Sequence, residues 1–145
     1  MVEDKLLQII DANLNRTREG LRVCEDIVRF ALQDKNATKA LKTVRHGATN
    51  LVLKSKKISL TELLSERDIA SDKTKFIDFT PKSGMNISDI FMSNIERVKE
   101  SLRVLEECFK IIDAKISRGY RKLRFDTYAI EKNIVEKARL VSRNG

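Results

Sequence analysis

The chain has 145 residues, of which 41% are hydrophobic and 34% are charged. This length suits one domain with a single core, and the apolar content excludes an intrinsically disordered chain, which could not bury enough apolar surface to fold. Twenty-nine lysines and arginines against 21 aspartates and glutamates leave a net charge of +8, so the surface favours anionic partners such as phosphates, nucleic acid or acidic lipids.

The first third of the chain carries the pattern of two amphipathic helices. Between Val2 and Gln33, most apolar residues recur every three or four positions, which predicts an unusually long first helix. The sequence DKNA interrupts the pattern, and Asn36 or Thr38 is expected to cap a second helix that runs to about Lys56. These two helices should form an antiparallel hairpin.

Residues 57–86 are predicted to be a linker. Ser59 or Thr61 can begin a short helix to Leu64, and the sequence after it lacks sustained periodicity and contains the chain's single proline. Residues 76–79 can form a brief extended piece. A loop of about twenty residues is uncommon in a compact domain unless it serves a site or is disordered, so we expect this loop to be functional.

The last third of the chain predicts a second long hairpin. Asn86 or Ser88 should begin a third helix that ends near Ile112, and Ser117 should begin a fourth that runs toward Val141. The sequence therefore predicts an all-α fold, a helical bundle built from two long hairpins with a long central loop.

The two predicted hairpins are related by an internal repeat. At an offset of 81 residues, the first and third helices share seven identities in 13 positions. Helical periodicity alone would match apolar residues, but it would not reproduce the same order of asparagine, arginine and glutamate. We therefore expect a single helical domain over residues 1–145, with repeat units at 2–56 and 87–143. The identical pairs are Asn13/Asn94, Arg16/Arg97, Glu19/Glu100, Leu21/Leu102, Arg22/Arg103, Val23/Val104 and Glu25/Glu106.

A helical wheel at about 100° per residue predicts which polar side chains face the core. Six of them fall between or beside the apolar stripes of their helices, and Glu19 lies on the border. A further set on the opposite side of the first helix is predicted to be only a solvated face. The inward set is Asn13, Arg16, Arg45, Asn94, Arg97 and Arg124, and the solvated set is Arg18, Arg22, Glu25, Asp26 and Arg29.

Two interpretations of the inward arginines remain open. An unpaired buried charge costs several kcal/mol, so each arginine needs a partner. In one interpretation, each half closes its own asparagine, arginine and glutamate into an internal salt bridge. In the other, which we favour, the four arginines and the glutamates Glu19 and Glu100 line a cleft for a phosphate-bearing ligand, because guanidinium groups match phosphate oxygens bidentately.

Other classes of site have less support. Tryptophan is absent, aromatic residues make up 6% of the chain and the basic residues are scattered, so a nucleic-acid interface is not favoured. Cys24 and Cys108 lack metal-ligand spacing and are expected to be free core thiols. A run of about 18 apolar residues is also missing, which predicts a cytoplasmic protein that does not enter membranes.

The stretches DANLNRTREGLRVCEDIVRF and LRFDTYAIEK closely resemble the helical domain at the N-terminus of long-form thiamine-phosphate synthases, which also occurs as a free-standing protein. The resemblance implies a role in thiamine biosynthesis. It further implies a kinase that uses ATP and Mg²⁺ to phosphorylate hydroxymethylpyrimidine phosphate to the diphosphate, the co-substrate of the synthase. The alternative is a non-catalytic module that binds a phosphorylated ligand or docks onto thiamine-phosphate synthase.

The resemblance also extends the candidate site. It adds the loop residues Arg67, Asp68 and Asp72, and Tyr128 of the fourth helix. Phosphoryl transfer requires cations around the transferring group and a carboxylate for magnesium. We therefore expect the arginines, asparagines and Tyr128 to bind substrate and phosphate. The expected catalytic residues are Glu19, Glu100, Asp68 and Asp72, with Mg²⁺ held by Glu19, Asp68 and Asp72.

The sequence leaves the location of the shared site open. The chain lacks the glycine-rich loops of common kinases, so a nucleotide would be held by arginines and helix N-termini. A duplicated hairpin can complete a site either at a pseudo-twofold axis within one chain or at a homodimer interface.

Overall fold

The fold is a bundle of four long α-helices in a computed structural model that describes residues 2–59, 62–63 and 84–144. The helices are α1 (Asp4–Asp26), α2 (Lys35–Lys54), α3 (Ile87–Ile112) and α4 (Ala114–Asn144), and α1 continues into a π-helical segment at Ile27–Ala31. These described residues contain no strand, so the predicted all-α class is confirmed. None of the described helices is both long enough and apolar enough to cross a membrane.

Capping side chains determine where α2 and α3 begin. Asp34 caps α2, since its carboxylate accepts a hydrogen bond from the backbone N–H of Ala37 at 3.0 Å. The predicted caps Asn36 and Thr38 are wrong, because Asp34 is an equally good cap and precedes both of them. The predicted cap of α3 is confirmed, because Asn86 and Asp89 form a reciprocal capping box.

The start of α4 lies three residues before the predicted one. Asp113 accepts from the backbone N–H groups of Lys115 at 3.0 Å and Ile116 at 3.4 Å, so α4 begins at Ala114. Ser117, the predicted start, lies inside the helix and donates its hydroxyl to the carbonyl oxygen of Glu106 at 2.8 Å. The short connection between α3 and α4 is therefore stabilised by the hydrogen bonds of Asp113 and of Ser117.

The predicted linker is only partly described. Ser59 and Glu62 form reciprocal hydrogen bonds of 3.0 and 3.2 Å, which is the arrangement expected for the start of the short helix. Residues 60–61 and 64–83 lie outside the described residues. The predicted extended piece at 76–79 and the loop residues Arg67, Asp68 and Asp72 fall in that part of the chain.

The core lies between the four helices, and the most extensive contacts are those of α3 with α1 and with α4. Its largest fully buried side chains include Tyr120, Phe109 and Ile10. The hydroxyl of Tyr120 donates to the carbonyl oxygen of Ala48 at 2.7 Å, so the one polar atom of this ring is satisfied. Cys24 and Cys108 are buried free thiols, as predicted, and burial raises the pKa of Cys24 to about 12.

The crossing of α1 and α3 shows how the two hairpins are related. The hydroxyls of Thr17 and Ser101 are 2.7 Å apart, and the backbone at Gly20 packs directly against Val98. At the offset of 81, Thr17 corresponds to Val98 and Gly20 corresponds to Ser101. The two contacts therefore join the same pair of repeat positions with the helices exchanged, which places a pseudo-twofold axis at this crossing.

Gly20→Ala is expected to lower stability by a net amount of about 1 kcal/mol. The added methyl group would lie 2.8 Å from Cγ2 of Val98 and 3.1 Å from the backbone oxygen of Asn94. Overpacking of this kind costs about 2 kcal/mol, whereas alanine gains about 1 kcal/mol in helix propensity. Urea denaturation followed by circular dichroism measures the difference.

The matched control is Gly47→Ala on α2. Its methyl group would lie 3.1 Å from Cδ2 of Leu123, the movable end of a side chain, so we expect no loss of stability. Equal effects of the two substitutions would show that the α1–α3 crossing does not need a glycine.

Candidate functional site

Two of the four predicted inward arginines are neutralised within their own hairpins. Nε of Arg45 lies 2.7 Å from Oε2 of Glu25 and Nη2 lies 3.1 Å from Oε1, a bidentate pair between α2 and α1. In the second hairpin, Nε and Nη2 of Arg124 donate to Oε1 of Glu106 at 3.2 and 3.1 Å. Each of the four side chains is at most 13% exposed.

These pairs correct the predicted four-arginine cleft. Arg45 and Arg124 are held by Glu25 and Glu106, so they do not line a shared hollow. Glu25 is 5% exposed, and its predicted place on a solvated face is wrong. The helical wheel treated the side of α1 away from its main stripe as solvent, but α2 packs there.

The other two arginines lie together at the α1–α3 crossing. Arg16 and Arg97 are solvent-exposed and border one cavity of about 400 Å³, which we call the crossing pocket. Among the described residues, no carboxylate pairs with either guanidinium. Within the described part of the chain, Arg16 donates a long hydrogen bond of 3.4 Å to Oδ1 of Asn13. The crossing pocket is lined by Asn13, Arg16, Arg97, Glu100, Ser101 and Val104.

The two predicted asparagines have the same local geometry but different positions in the site. Nδ2 of Asn13 donates to the carbonyl oxygen of Ile9 at 2.8 Å, and Nδ2 of Asn94 donates to that of Ile90 at the same distance. Each bond fixes the orientation of its amide. Asn13 lines the crossing pocket, whereas Asn94 is outside its lining.

The predicted carboxylates Glu19 and Glu100 differ in their position relative to the crossing pocket. Glu100 lines the crossing pocket, while its repeat counterpart Glu19 is exposed outside the lining. The part of the chain that the structure describes has no cluster of three or more His, Cys, Asp or Glu residues that could hold a metal ion. Arg67, Asp68 and Asp72 lie outside the described residues, so their predicted roles stay predictions.

Tyr128 lies on α4 and is outside the lining of the crossing pocket. Its half-exposed ring is 6.3 Å from the ring of Phe125, and Nζ of Lys99 lies 4.8 Å from its centre. Lys99 is itself buried, and it forms ion pairs with Glu96 and, at 3.0 Å, with Glu131. Burial alone would lower the pKa of Lys99, but its hydrogen bonds to the two carboxylates outweigh burial and raise it.

Sequence reasoning missed the Lys99–Glu131 contact. Lys99 lies between Val98 and Ser101 on the buried side of α3, a position at which a lysine must find a carboxylate. The position of Lys99 on this side of α3 was the sequence feature that could have predicted the contact. The contact joins α3 to α4 beside Tyr128 and has no counterpart in the first hairpin. Arg18 matches Lys99 at the offset of 81, and Val52 matches Glu131 at the offset of 79 that aligns Arg45 with Arg124.

The fold and the site define a class, namely small all-α proteins with an arginine-lined pocket where two repeated helices cross. The chain belongs to the ThiD2 family, whose family model matches residues 8–133. No solved structure matches the chain.

Several curated relatives are named thiamine-phosphate synthase. That of Prochlorococcus marinus subsp. pastoris is 36% identical over 132 residues, which cover 90% of this chain and 36% of that protein. That of Nostoc punctiforme is 34% identical over 135 residues, with coverages of 92% and 36%. That of Rhodopirellula baltica is 33% identical over 125 residues, with coverages of 86% and 32%. The chain thus spans about a third of the length of these relatives.

Proposed function

We propose that this chain acts in thiamine biosynthesis as an ATP-dependent kinase of hydroxymethylpyrimidine phosphate, with the crossing pocket as its active site. The observation that carries the proposal is the pair of exposed arginines, Arg16 and Arg97, which face one cavity without a carboxylate partner among the described residues. Membership of a family whose relatives are named thiamine-phosphate synthases supplies the pathway.

The crossing pocket suits a phosphorylated small molecule. Its volume of about 400 Å³ lies in the range of small-ligand sites, roughly 300–1,000 Å³. The two guanidinium groups can each take phosphate oxygens in a bidentate manner, and Asn13 offers a fixed amide beside them. All six lining residues lie on the two crossing helices, α1 and α3, and the homodimer that the sequence left open stays a prediction.

In the proposed reaction, a phosphate oxygen of the substrate forms a bond to the terminal phosphorus of ATP while the bond to ADP breaks. A phosphate monoester has a second pKa of about 6, so the attacking oxygen is already ionised at neutral pH. A general base is therefore unnecessary. Arg16 and Arg97 would stabilise the negative charge that is shared by the attacking and transferring groups.

Glu100 is the carboxylate best placed to bind magnesium. Mg²⁺ is usually held by one or two carboxylates together with substrate phosphates and water, so one carboxylate in the pocket is sufficient. The ion, when bound, would neutralise phosphate charge during transfer. Glu19, which the sequence also assigned to magnesium, lies outside the pocket lining and is a weaker choice.

Phosphorus NMR of the purified chain with ATP, magnesium and hydroxymethylpyrimidine phosphate tests the proposal. We expect resonances of the pyrimidine diphosphate and of ADP to grow together in equal amounts. The control omits the pyrimidine, so that simple ATP hydrolysis is recognised by ADP that forms with inorganic phosphate. Hydrolysis without the diphosphate, or no reaction, would reject the kinase.

A non-catalytic module that binds a phosphorylated ligand or docks onto thiamine-phosphate synthase is the second candidate. The observation that favours it is length, because the match covers only about a third of relatives that are named as synthases. Calorimetry with hydroxymethylpyrimidine phosphate separates the two candidates. Saturable binding without turnover favours the module, and turnover favours the kinase.

A further inference from the structure

A second cationic cavity lies at the corner where α3 passes into α4. It has a volume of about 220 Å³, and we call it the corner pocket. Three basic side chains border it, two from α4 and one from the end of α3. The corner pocket is lined by Glu106, Lys110, Ala114, Ser117, Arg118 and Arg121.

The acidic groups at this corner already have basic or backbone partners. Oε1 of Glu106 accepts two hydrogen bonds from Arg124, and Glu107 pairs with Arg103 at 3.0 Å and with Lys110 at 2.8 Å. Asp113 accepts hydrogen bonds from the first backbone N–H groups of α4. The N-terminus of α4 is therefore already capped, and any anion here must be bound by side chains.

Two guanidinium groups remain available at the corner pocket. Among the described residues, no carboxylate pairs with Arg118 or Arg121. They lie three residues apart on α4, so they share one helical face. The Arg121 guanidinium lies 5.7 Å from the ring centre of Phe125, a contact that leaves its N–H groups free to donate to a ligand.

The internal repeat gives an independent reason to assign a role to this cluster. The first hairpin has a cation at each position that matches a basic residue of the corner pocket, and it also matches the hydroxyl and the buried glutamate. A merely solvated face does not require one sign of charge at three separate positions. The matched pairs are Arg29/Lys110 and Glu25/Glu106 at the offset of 81, and Thr38/Ser117, Lys39/Arg118 and Lys42/Arg121 at the offset of 79.

The corner pocket is separate from the crossing pocket. Glu100 and Val104 face the crossing pocket, whereas Glu106 and Lys110 face the corner pocket from the other side of α3. A helix with its side chains is about 10–12 Å across, so a phosphoryl group held at one pocket cannot reach a ligand at the other.

We propose that the corner pocket is a second anion-binding site, which takes a phosphate group between Arg118 and Arg121 with Lys110 at its edge. Two charge-assisted guanidinium contacts and a nearby ammonium suit a phosphate dianion better than a monovalent ion. The proposal does not depend on the kinase assignment, because it involves different residues and no chemical step.

The test is a titration of the full ¹⁵N-labelled chain with inorganic phosphate at constant ionic strength, followed by proton–nitrogen NMR. We expect the backbone amides of Ser117, Arg118 and Arg121 to shift and to saturate. The double variant Arg118→Gln/Arg121→Gln should weaken this response at least about tenfold, which corresponds to the loss of about 1.4 kcal/mol of binding free energy.

Two controls make the result decisive. Arg16→Gln should remove the response at the crossing pocket but leave saturation at Ser117 unchanged, and Arg22→Gln, on α1 outside both pocket linings, should alter neither response. Circular dichroism confirms that each variant is folded. Shifts confined to the crossing pocket would overturn the proposal, as would unsaturated shifts that survive the double variant and so indicate an adventitious ion only.

Discussion

Replacing Glu25 with alanine is expected to destabilise the fold by about 3 kcal/mol, the typical cost of removing one partner of a buried ion pair. The change leaves the Arg45 guanidinium, whose side chain is 13% exposed, without the carboxylate that binds it at 2.7 and 3.1 Å. The free energy of unfolding in urea, followed by circular dichroism, measures the loss.

The second hairpin supplies a matched experiment. Glu106→Ala should cost a similar amount, because Arg124 is 12% exposed and meets Glu106 at the corresponding position. As a surface control, Asp126→Ala removes an exposed pair with Lys122 and should cost about 0.5 kcal/mol or less. If Glu25→Ala cost no more than Asp126→Ala, Arg45 would be able to turn into solvent and the pair would not be structural.

An apolar replacement of the pair separates its two possible roles. Glu25→Leu combined with Arg45→Met should recover most of the stability lost in Glu25→Ala, since buried ion pairs are often no more stable than well-packed apolar side chains. The comparison tells whether the pair adds stability or only avoids an unpaired charge. Each variant must retain the helical circular dichroism spectrum.

The sequence predicted the helices well because their apolar periodicity extends over many turns. All four helices were expected, and the cap of α3 at Asn86 was identified. Boundaries were less certain where two good capping residues compete, as at Asp34 and Asn36. The π-helical segment at Ile27–Ala31 was not predicted, because its apolar pattern does not differ from that of an α-helix.

The structure brings two of the four predicted arginines together. The internal repeat selected Arg16 and Arg97, and these two do border a common cavity. It also placed Arg45 and Arg124 there, but each of these two forms an ion pair with a glutamate of its own hairpin. The partner in each case is not the asparagine or Glu19 but Glu25 or Glu106. A helical wheel could not identify these partners, because it contains no information about which sides of a helix pack against other helices.

The repeat also explains why the site is not symmetrical. A pseudo-twofold axis at the α1–α3 crossing would offer two equivalent hollows on either side of the Arg16–Arg97 pair. Where one hollow has Ser101, the other has Gly20, whose lack of a side chain lets Val98 pack against it. The crossing pocket lies on the Ser101 side and is lined by Glu100 rather than Glu19.

Arg97→Ala is expected to lower the turnover of hydroxymethylpyrimidine phosphate at least about 100-fold, as is Arg16→Ala, if both stabilise charge on the transferring phosphoryl group. Neither change should affect folding, because both side chains are exposed and make no ion pair with the described residues. Initial rates of diphosphate formation over a range of substrate concentrations give kcat and KM separately.

The pattern of the two constants identifies the role of each arginine. A residue that binds only the ground-state phosphate should raise KM and leave kcat unchanged, whereas one that acts on the transferring group should lower kcat. Arg18→Ala, on the same helix as Arg16 but outside the pocket lining, is the control and should keep full activity. If either Arg16→Ala or Arg97→Ala retained full turnover, the crossing pocket would not be the place where phosphoryl transfer occurs.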